Sequence, residues 1–322
     1  MRVWLGFCGL LLAANVCAAE GNARFDWLKT IAFAGHQTDY SGVFVYQYGN
    51  HVETSRITHV VETDREYEKL ESLDGPKREI IRHHGQVWCY KNHKMVQVDS
   101  HQGQVRFPLL LTDQLSALSE NYRVSEAGIE RVAGYDTQVV LFQPRDNLRY
   151  AQKIWVHTDS GLLLKSAVLN DKMKIVEQYA FTQLKMGPGV DRSWIASSAT
   201  TAFLGKGKGK DRPARNKVAA TVNSGWVVDA LPSGFKKTME VIRPMKGKHA
   251  PVTQLVFSDG LSAISVFIEP ADGDEDDVEG LSSRGAVNLY HKVVDKHLFN
   301  VVGEVPPRTV MQVLNSVRYN GK

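Results

Sequence analysis

The chain has 322 residues, 43% of them hydrophobic, enough material for more than one core. Its 39 Lys and Arg against 35 Asp and Glu leave a formal charge of +4. A balance this near neutral excludes a dedicated nucleic-acid binder, which needs a basic field over its contact surface.

Residues 1–19 read as an export leader: Met1-Arg2, an apolar run from Val3 to Ala14, then Cys17-Ala-Ala19. The run is short for a bilayer span. Val16 stands where a lipid-attachment motif has Gly or Ala, so cleavage after Ala18 or Ala19 and a soluble exported product are expected. Cleavage removes Arg2 and no acidic residue, taking +4 to +3. Of the three cysteines, Cys8 and Cys17 leave with it and Cys89 stays alone, so no internal disulfide is expected.

Asn22 to Ala34 has the spacing of an amphipathic helix, with Asn22 as cap and Trp27, Leu28, Ile31 and Ala32 on one face. A meander of short strands follows: Tyr40 to Tyr48, Glu53 to Glu62, Arg65 to Leu73, Glu79 to Arg82, Val87 to Tyr90 and Met95 to Val98. Asp74-Gly75-Pro76 is its clearest turn. Strands with no helix between them pair antiparallel. Val43 and Val45 on one side and Phe44 and Tyr46 on the other make both faces apolar, so each face meets a packed layer or a ligand.

The triplet Leu109, Leu110 and Leu111 comes next, then a short helix from Thr112 or Asp113 with Leu115, Leu118 and Tyr122 on one face. These cover the concave side of the sheet, either as a lid or as ordinary core. Strands resume at Ile129 to Gly134, Thr137 to Gln143, Ala151 to His157, Leu162 to Leu169 and Ile175 to Leu184. One β-rich domain is therefore expected over residues 20–190.

Residues 191–217 form a linker, ending in the basic stretch Gly205 to Lys217. A smaller α+β domain is expected over 218–322. It has strands at Val218 to Val222, Thr253 to Ser258 and Ser262 to Glu269, and a hairpin from Ala286 to Val302. Pro306-Pro307 opens a final helix with Val310, Val313, Leu314 and Val317 on one face. The acidic run Asp272 to Glu279 lacks the spacing of a calcium loop. The fold class is thus α+β: a large curved antiparallel sheet, an incomplete barrel covered by helices, plus the smaller domain.

No nucleophile elbow, zinc-protease helix, phosphate-binding loop or paired-cysteine motif occurs. His83, His84, Cys89, His93 and His101 are the best metal candidates, but His83 and His84 are neighbours on a strand and point to opposite faces. No catalytic residue, metal or cofactor is expected. What accumulates instead is oily surface on a curved sheet: Phe44, Tyr46, Trp88, Tyr90, Leu109, Leu110, Leu111, Phe142 and Trp155. A curled sheet can enclose such residues as a hollow for a hydrophobic ligand, or they can fill a core.

Several stretches resemble the RseB/MucB family. In the larger part they are Tyr40-Ser-Gly-Val-Phe-Val-Tyr46, Leu73-Asp-Gly-Pro-Lys-Arg-Glu-Ile80, Val87-Trp-Cys-Tyr90, Arg131-Val-Ala-Gly134 and Ser160-Gly-Leu-Leu-Leu-Lys-Ser166. In the smaller part they are Leu231-Pro-Ser-Gly-Phe235, Phe257-Ser-Asp-Gly-Leu261, Ser265-Val-Phe-Ile-Glu269, Gly285-Ala-Val287 and Val302-Gly-Glu-Val-Pro306. The resemblance implies a periplasmic negative regulator of the envelope-stress sigma factor (sigma-E or AlgU) that is not an enzyme. It implies a large domain similar to the lipoprotein carriers LolA and LolB, sensing lipid, and a small domain that binds an anti-sigma factor. The implied partner is the periplasmic domain of a membrane-spanning anti-sigma factor, RseA or MucA. It would be protected from regulated proteolysis and released on a lipid or lipopolysaccharide signal. Homo-oligomers are implied too. The alternative reading is a periplasmic carrier of lipid or lipoprotein.

Overall fold

The computed structural model describes residues 31, 33–63, 65–83, 86–91, 94–98, 107–108, 118–195, 222–245, 250–271 and 279–321. The expected leader, Asn22 to Thr30, Leu109 to Leu111, the basic stretch, residues 272–278 and His84, His93 and His101 lie outside them.

Eleven antiparallel strands form the larger sheet. They are β1 (Tyr40–Tyr48), β2 (His51–Glu62), β3 (Arg65–Ser72), β4 (Arg78–His83), β5 (Gln86–Lys91), β6 (Lys94–Val98), β7 (Tyr122–Val132), β8 (Tyr135–Pro144), β9 (Ala151–His157), β10 (Leu163–Leu169) and β11 (Ile175–Met186). Their order is β6-β5-β4-β3-β2-β1-β11-β10-β9-β8-β7, two meanders joined where β1 pairs with β11. Among the described residues the sheet is open, with β6 and β7 as its edges. Open sheets this wide curl, and bulges bend strands locally. Bulges interrupt the β1–β11, β7–β8, β9–β10 and β10–β11 pairings. The curl brings Tyr135 on β8 close enough for its hydroxyl to donate to the Leu184 carbonyl on β11 at 3.2 Å, although two strands separate them in the sheet. At Gly42 a side chain would meet the Phe181 ring at 2.7 Å, so only glycine lets that ring lie across β1.

The smaller unit has six antiparallel strands in the order β13-β14-β15-β18-β17-β16. They are β13 (Lys236–Arg243), β14 (Val252–Ser258), β15 (Ala263–Pro270), β16 (Glu279–Arg284), β17 (Val287–Val294) and β18 (His297–Gly303). A two-stranded pair of β12 (Trp226–Val228) and β19 (Val317–Tyr319) lies beside it. The helix Pro307–Asn315 buries Thr309, Val310, Val313 and Leu314 against this sheet. Fixed φ at Pro307 suits the first helical turn.

The sheets match the expected fold class, and several expected limits shift. The first helix extends past Ala34 to residue 37, and it is labelled α1 for its described residues 33–37. The expected helix ending at Tyr122 is helical only over Leu118–Asn121 (α2) among the described residues, and Tyr122 starts β7. Tyr122 pairs with Pro144 and sends its hydroxyl to buried Asp259, so tertiary contacts override the helical spacing. Val317 leaves the face of the final helix (α3, Pro307–Asn315) and enters β19. Strands β12, β13, β16 and β19 lacked a legible pattern because their positions are largely half-buried or exposed.

Two layers cover the larger sheet. Residues 190–195 fold back over one face, where Val190 and Trp194 pack on Val60, Tyr67 and Ile81. On the other, inner face lie Phe107 and parts of the smaller unit, Leu261 among them.

Candidate functional site

Side chains alternate between the faces of a strand, and cross-strand partners share a face. Phe44, Tyr46 and Tyr48 therefore lie together on the inner face. Tyr48 pairs with Glu177, Glu177 with Val168, Val168 with Gln152 and Gln152 with Phe142, which carries that face across to Phe142. Phe44 is 6% exposed, with ring centroids of Phe107, Tyr179 and Phe181 at 5.3, 6.3 and 6.0 Å. Tyr46 stacks on Tyr179 at 4.4 Å. Phe142 is fully buried in the same core as Leu118 and Tyr122.

The remaining described members of the expected lining fall on the outer face. Trp155 pairs with Lys165, Lys165 with Ala180 and Ala180 with Val45, one residue out of phase with Phe44 and Tyr46. Its indole donates to Glu130 at 2.8 Å, and the Lys153 and Lys165 ammoniums lie 4.7 and 4.3 Å from its ring. Trp88 pairs with Ile81, Ile81 with Lys69, Lys69 with Thr58 and Thr58 with Ser41, again the outer phase, and Tyr90 goes with it. By strand register the expected lining thus divides between the two faces of the sheet, although Trp155 is buried and continuous with the core that holds Phe44 and Phe142, and Leu109, Leu110 and Leu111 lie outside the described residues. Alternation within a strand is local, whereas the phase between distant strands depends on register and bulges that the chain order does not reveal.

Polar contacts concentrate where the smaller unit docks on the inner face. The β16–β17 turn places Gly285 and Ala286 against Glu177, whose Oε2 accepts the Ala286 amide at 2.9 Å and the Tyr46 hydroxyl at 3.0 Å. Burial and the Glu177 charge hold the Tyr46 phenol well above its ordinary range. Gly285 has φ +59°, and a side chain there would sit 2.2 Å from Glu177 Oε2. Arg284 donates to Tyr48 Oη at 3.1 Å and to Glu53 at 3.0 Å.

A second patch surrounds the β14–β15 turn. Asp259 accepts Arg149 Nε at 2.7 Å and the Tyr122 hydroxyl at 2.8 Å. Arg149 also bonds Asp146 and the Ser233 carbonyl. Asn288 donates to Tyr150 Oη at 3.1 Å and Thr309 to the Leu148 carbonyl at 2.8 Å. A cavity of about 40 Å³ lies between the inner face and Leu261 and Glu304, room for water and not for an acyl chain. A wider cleft of about 330 Å³ opens at the edge, between Asn147, Tyr150, Met173 and Arg308.

Sequence reasoning missed Glu177, Arg149, Asp259 and Glu304. The signal present was turn chemistry: Asp259-Gly260 and Gly285 are turn residues, and both turns fall within stretches quoted above for the family resemblance. His83 stacks on Tyr67 at 4.1 Å and lies in outer phase with Ile81, whereas Cys89 lies in inner phase. Among the described residues no three His, Cys, Asp or Glu converge as metal ligands. No described helix is long and apolar enough to cross a membrane.

A broad curled sheet whose inner face is met by a second, smaller sheet through turns and buried polar pairs defines a two-part binding protein. The family profiles agree. The MucB/RseB N-terminal domain matches residues 24–199 and the MucB/RseB C-terminal domain matches residues 220–318. The chain belongs to the MucB/RseB family. It is 32% identical to the sigma factor AlgU regulatory protein MucB of Pseudomonas aeruginosa, over 96% of this chain and 95% of the relative. It is 23% identical to the sigma-E factor regulatory protein RseB of Escherichia coli, over 96% and 94%. Among solved structures, MucB in complex with MucA(peri) superposes with a TM-score of 0.71 at 30% identity, covering 92% of this chain and 99% of that one. The Pseudomonas aeruginosa MucA/MucB complex gives 0.73 at 30% identity, covering 93% and 100%.

Proposed function

We propose that this protein is a periplasmic regulatory binding protein that holds the periplasmic segment of a membrane-spanning anti-sigma factor and so restrains a sigma-E or AlgU type stress response. The observation that carries this reading is the full-length likeness to a MucB crystallised with MucA(peri), at 30% identity. The relatives are named as regulatory proteins, which supports action by binding rather than by changing a bond. The larger domain would span 20–190, with residues 190–195 folded back over its sheet, and the smaller 218–322; the last strand of the first sheet ends at Met186 and the next begins at Trp226. Protection of the partner from proteolysis follows if the held segment includes the cleavage site.

Release by lipid or lipopolysaccharide belongs to the same proposal. Phe44, Tyr46 and Phe142 share a face that the smaller unit and Phe107 partly cover, so a lipid on that face competes with docking. Trp88, Tyr90 and Trp155 would take no part in the same site. Homo-oligomers remain part of the proposal, and analytical ultracentrifugation of the purified chain measures them directly.

The test is a titration of the purified mature chain against the labelled periplasmic segment of its anti-sigma factor, with and without lipopolysaccharide. Saturable one-to-one binding supports the regulator, and weaker binding with lipopolysaccharide supports release. No saturable binding overturns the regulator, and equal affinity with and without lipopolysaccharide overturns release alone.

A further inference from the structure

Two carboxyl groups, one from each unit, line one cavity at the docked interface with no cation between them among the described residues. Glu304 follows β18 on the smaller unit, is half-buried, and lines a small cavity against the larger sheet. The groups facing it are Glu177 and Tyr179 from β11, Ser166 from β10, Gln152 from β9 and Phe107, with Leu261 on its own side of the 40 Å³ cavity. None of these is basic. The arginines described at the interface are engaged elsewhere: Arg149 with Asp259 and Asp146, Arg284 with Tyr48 and Glu53, and Arg308 with Asp171 at 3.6 Å. Glu177 has its donors in Tyr46 and the Ala286 amide, whereas the Glu304 carboxyl has no hydrogen-bond partner among the described residues.

We propose that docking of the two sheets is proton-linked: Glu304 takes up a proton from solvent as the inner face closes over it and returns the proton when the sheets part. Desolvating an unpaired carboxylate beside a second one costs far more than desolvating the neutral acid. Burial and the Glu177 charge accordingly push the Glu304 carboxyl up to about 7, against 4.5 in water. The direction follows from linkage. The docked form binds the proton more tightly, so acid favours docking; the gain is complete below about 4.5 and is lost as pH rises through about 7. One linked proton changes the ratio of docked to parted forms by at most about tenfold per pH unit within that window. Any ligand that distinguishes the two forms inherits the same pH dependence in its affinity. The inference rests on the interface alone and holds whatever partner the protein binds.

Hydrogen exchange of the Ala286 amide reads docking directly, because that amide is bonded to Glu177 on the other sheet. In the full chain, its protection, corrected for the intrinsic pH dependence of exchange, should fall by up to about tenfold per pH unit between pH 4.5 and 7 and then level off. Glu304→Gln should flatten the profile. Glu177→Gln keeps an acceptor for Ala286 and should move the transition to lower pH. A flat profile in the unmodified protein overturns the proposal without any variant. So does an unchanged slope in Glu304→Gln.

Discussion

Arg149 on the larger unit donates through Nε to Asp259 on the smaller at 2.7 Å, and neither side chain has any exposed surface. Around this pair the polar atoms are largely met. Asp259 Oδ1 accepts the Leu261 and Ser262 amides at 3.0 and 2.9 Å, and the Arg149 guanidinium lies 5.7 and 5.1 Å from the Tyr122 and Phe235 rings. A buried pair of this kind adds little net stability against an apolar replacement, because both charges were taken out of water. It does fix which surfaces meet, since any other docking leaves a charge stranded.

Arg149→Met is therefore expected to destabilise the protein by about 3–5 kcal/mol, through the stranded Asp259 carboxylate. The double variant Arg149→Met with Asp259→Leu should recover most of that loss. Urea unfolding of the three proteins measures it. A single variant as stable as the parent, or a double variant that is worse than the single, contradicts this account.

Gly285→Ala is expected to loosen docking while leaving each sheet folded. The substitution puts a methyl group within 2.2 Å of Glu177 Oε2 and asks alanine to hold φ +59°, a cost of about 1–3 kcal/mol for the backbone alone. Small-angle scattering should show a larger radius of gyration with unchanged far-ultraviolet dichroism. An unchanged radius would show that the turn adapts.

Phe44→Ala should cost about 3–5 kcal/mol, because the ring is enclosed by Phe107, Tyr179 and Phe181. Ile175→Ala, at a side chain 53% exposed on β11, should change stability by less than about 0.5 kcal/mol. Chemical denaturation separates the two. Similar losses at both positions would mean that the inner face is not the packed one.

Glu66 accepts His36 Nδ1 at 2.9 Å and lies 3.5 Å from His59 Nε2, and the His36 hydrogen bond, with the nearby His59 ring, lowers its carboxyl from 4.5 to about 2. A lowered carboxyl stabilises the fold above its unfolded value, and that stabilisation is lost as pH falls from about 4.5 towards about 2. The side chain is 45% exposed, so the effect is screened and modest. Acid titration of stability should be shallower in Glu66→Gln over this window. Identical slopes would assign acid sensitivity to other carboxylates.

Much of the architecture was legible because it is written at short range. Asp74-Gly75-Pro76 marks the turn between β3 and β4, and Gly75 does adopt φ +66°. Val310, Val313 and Leu314 recur at helical spacing and are buried on α3. Edge and surface strands such as β16 gave no pattern, since five of its six residues are exposed and the sixth, Gly280, is half-buried. Phe44, Tyr46, Trp88, Tyr90, Phe142 and Trp155 were identified as strand-borne, and they lie on strands; their division between two faces was not legible.

By itself the sequence determined the local order: which stretches extend, where they turn, and that they pair with their neighbours in an antiparallel meander. Only the tertiary structure decided that Phe44 and Phe142 look inward while Trp88 and Trp155 look outward, and that Glu177 and Arg149 meet the smaller sheet. The reason is one of range. A strand carries its own two-residue period, but its phase relative to a strand a hundred residues away is set by registers, bulges and the curl that closes one surface on another.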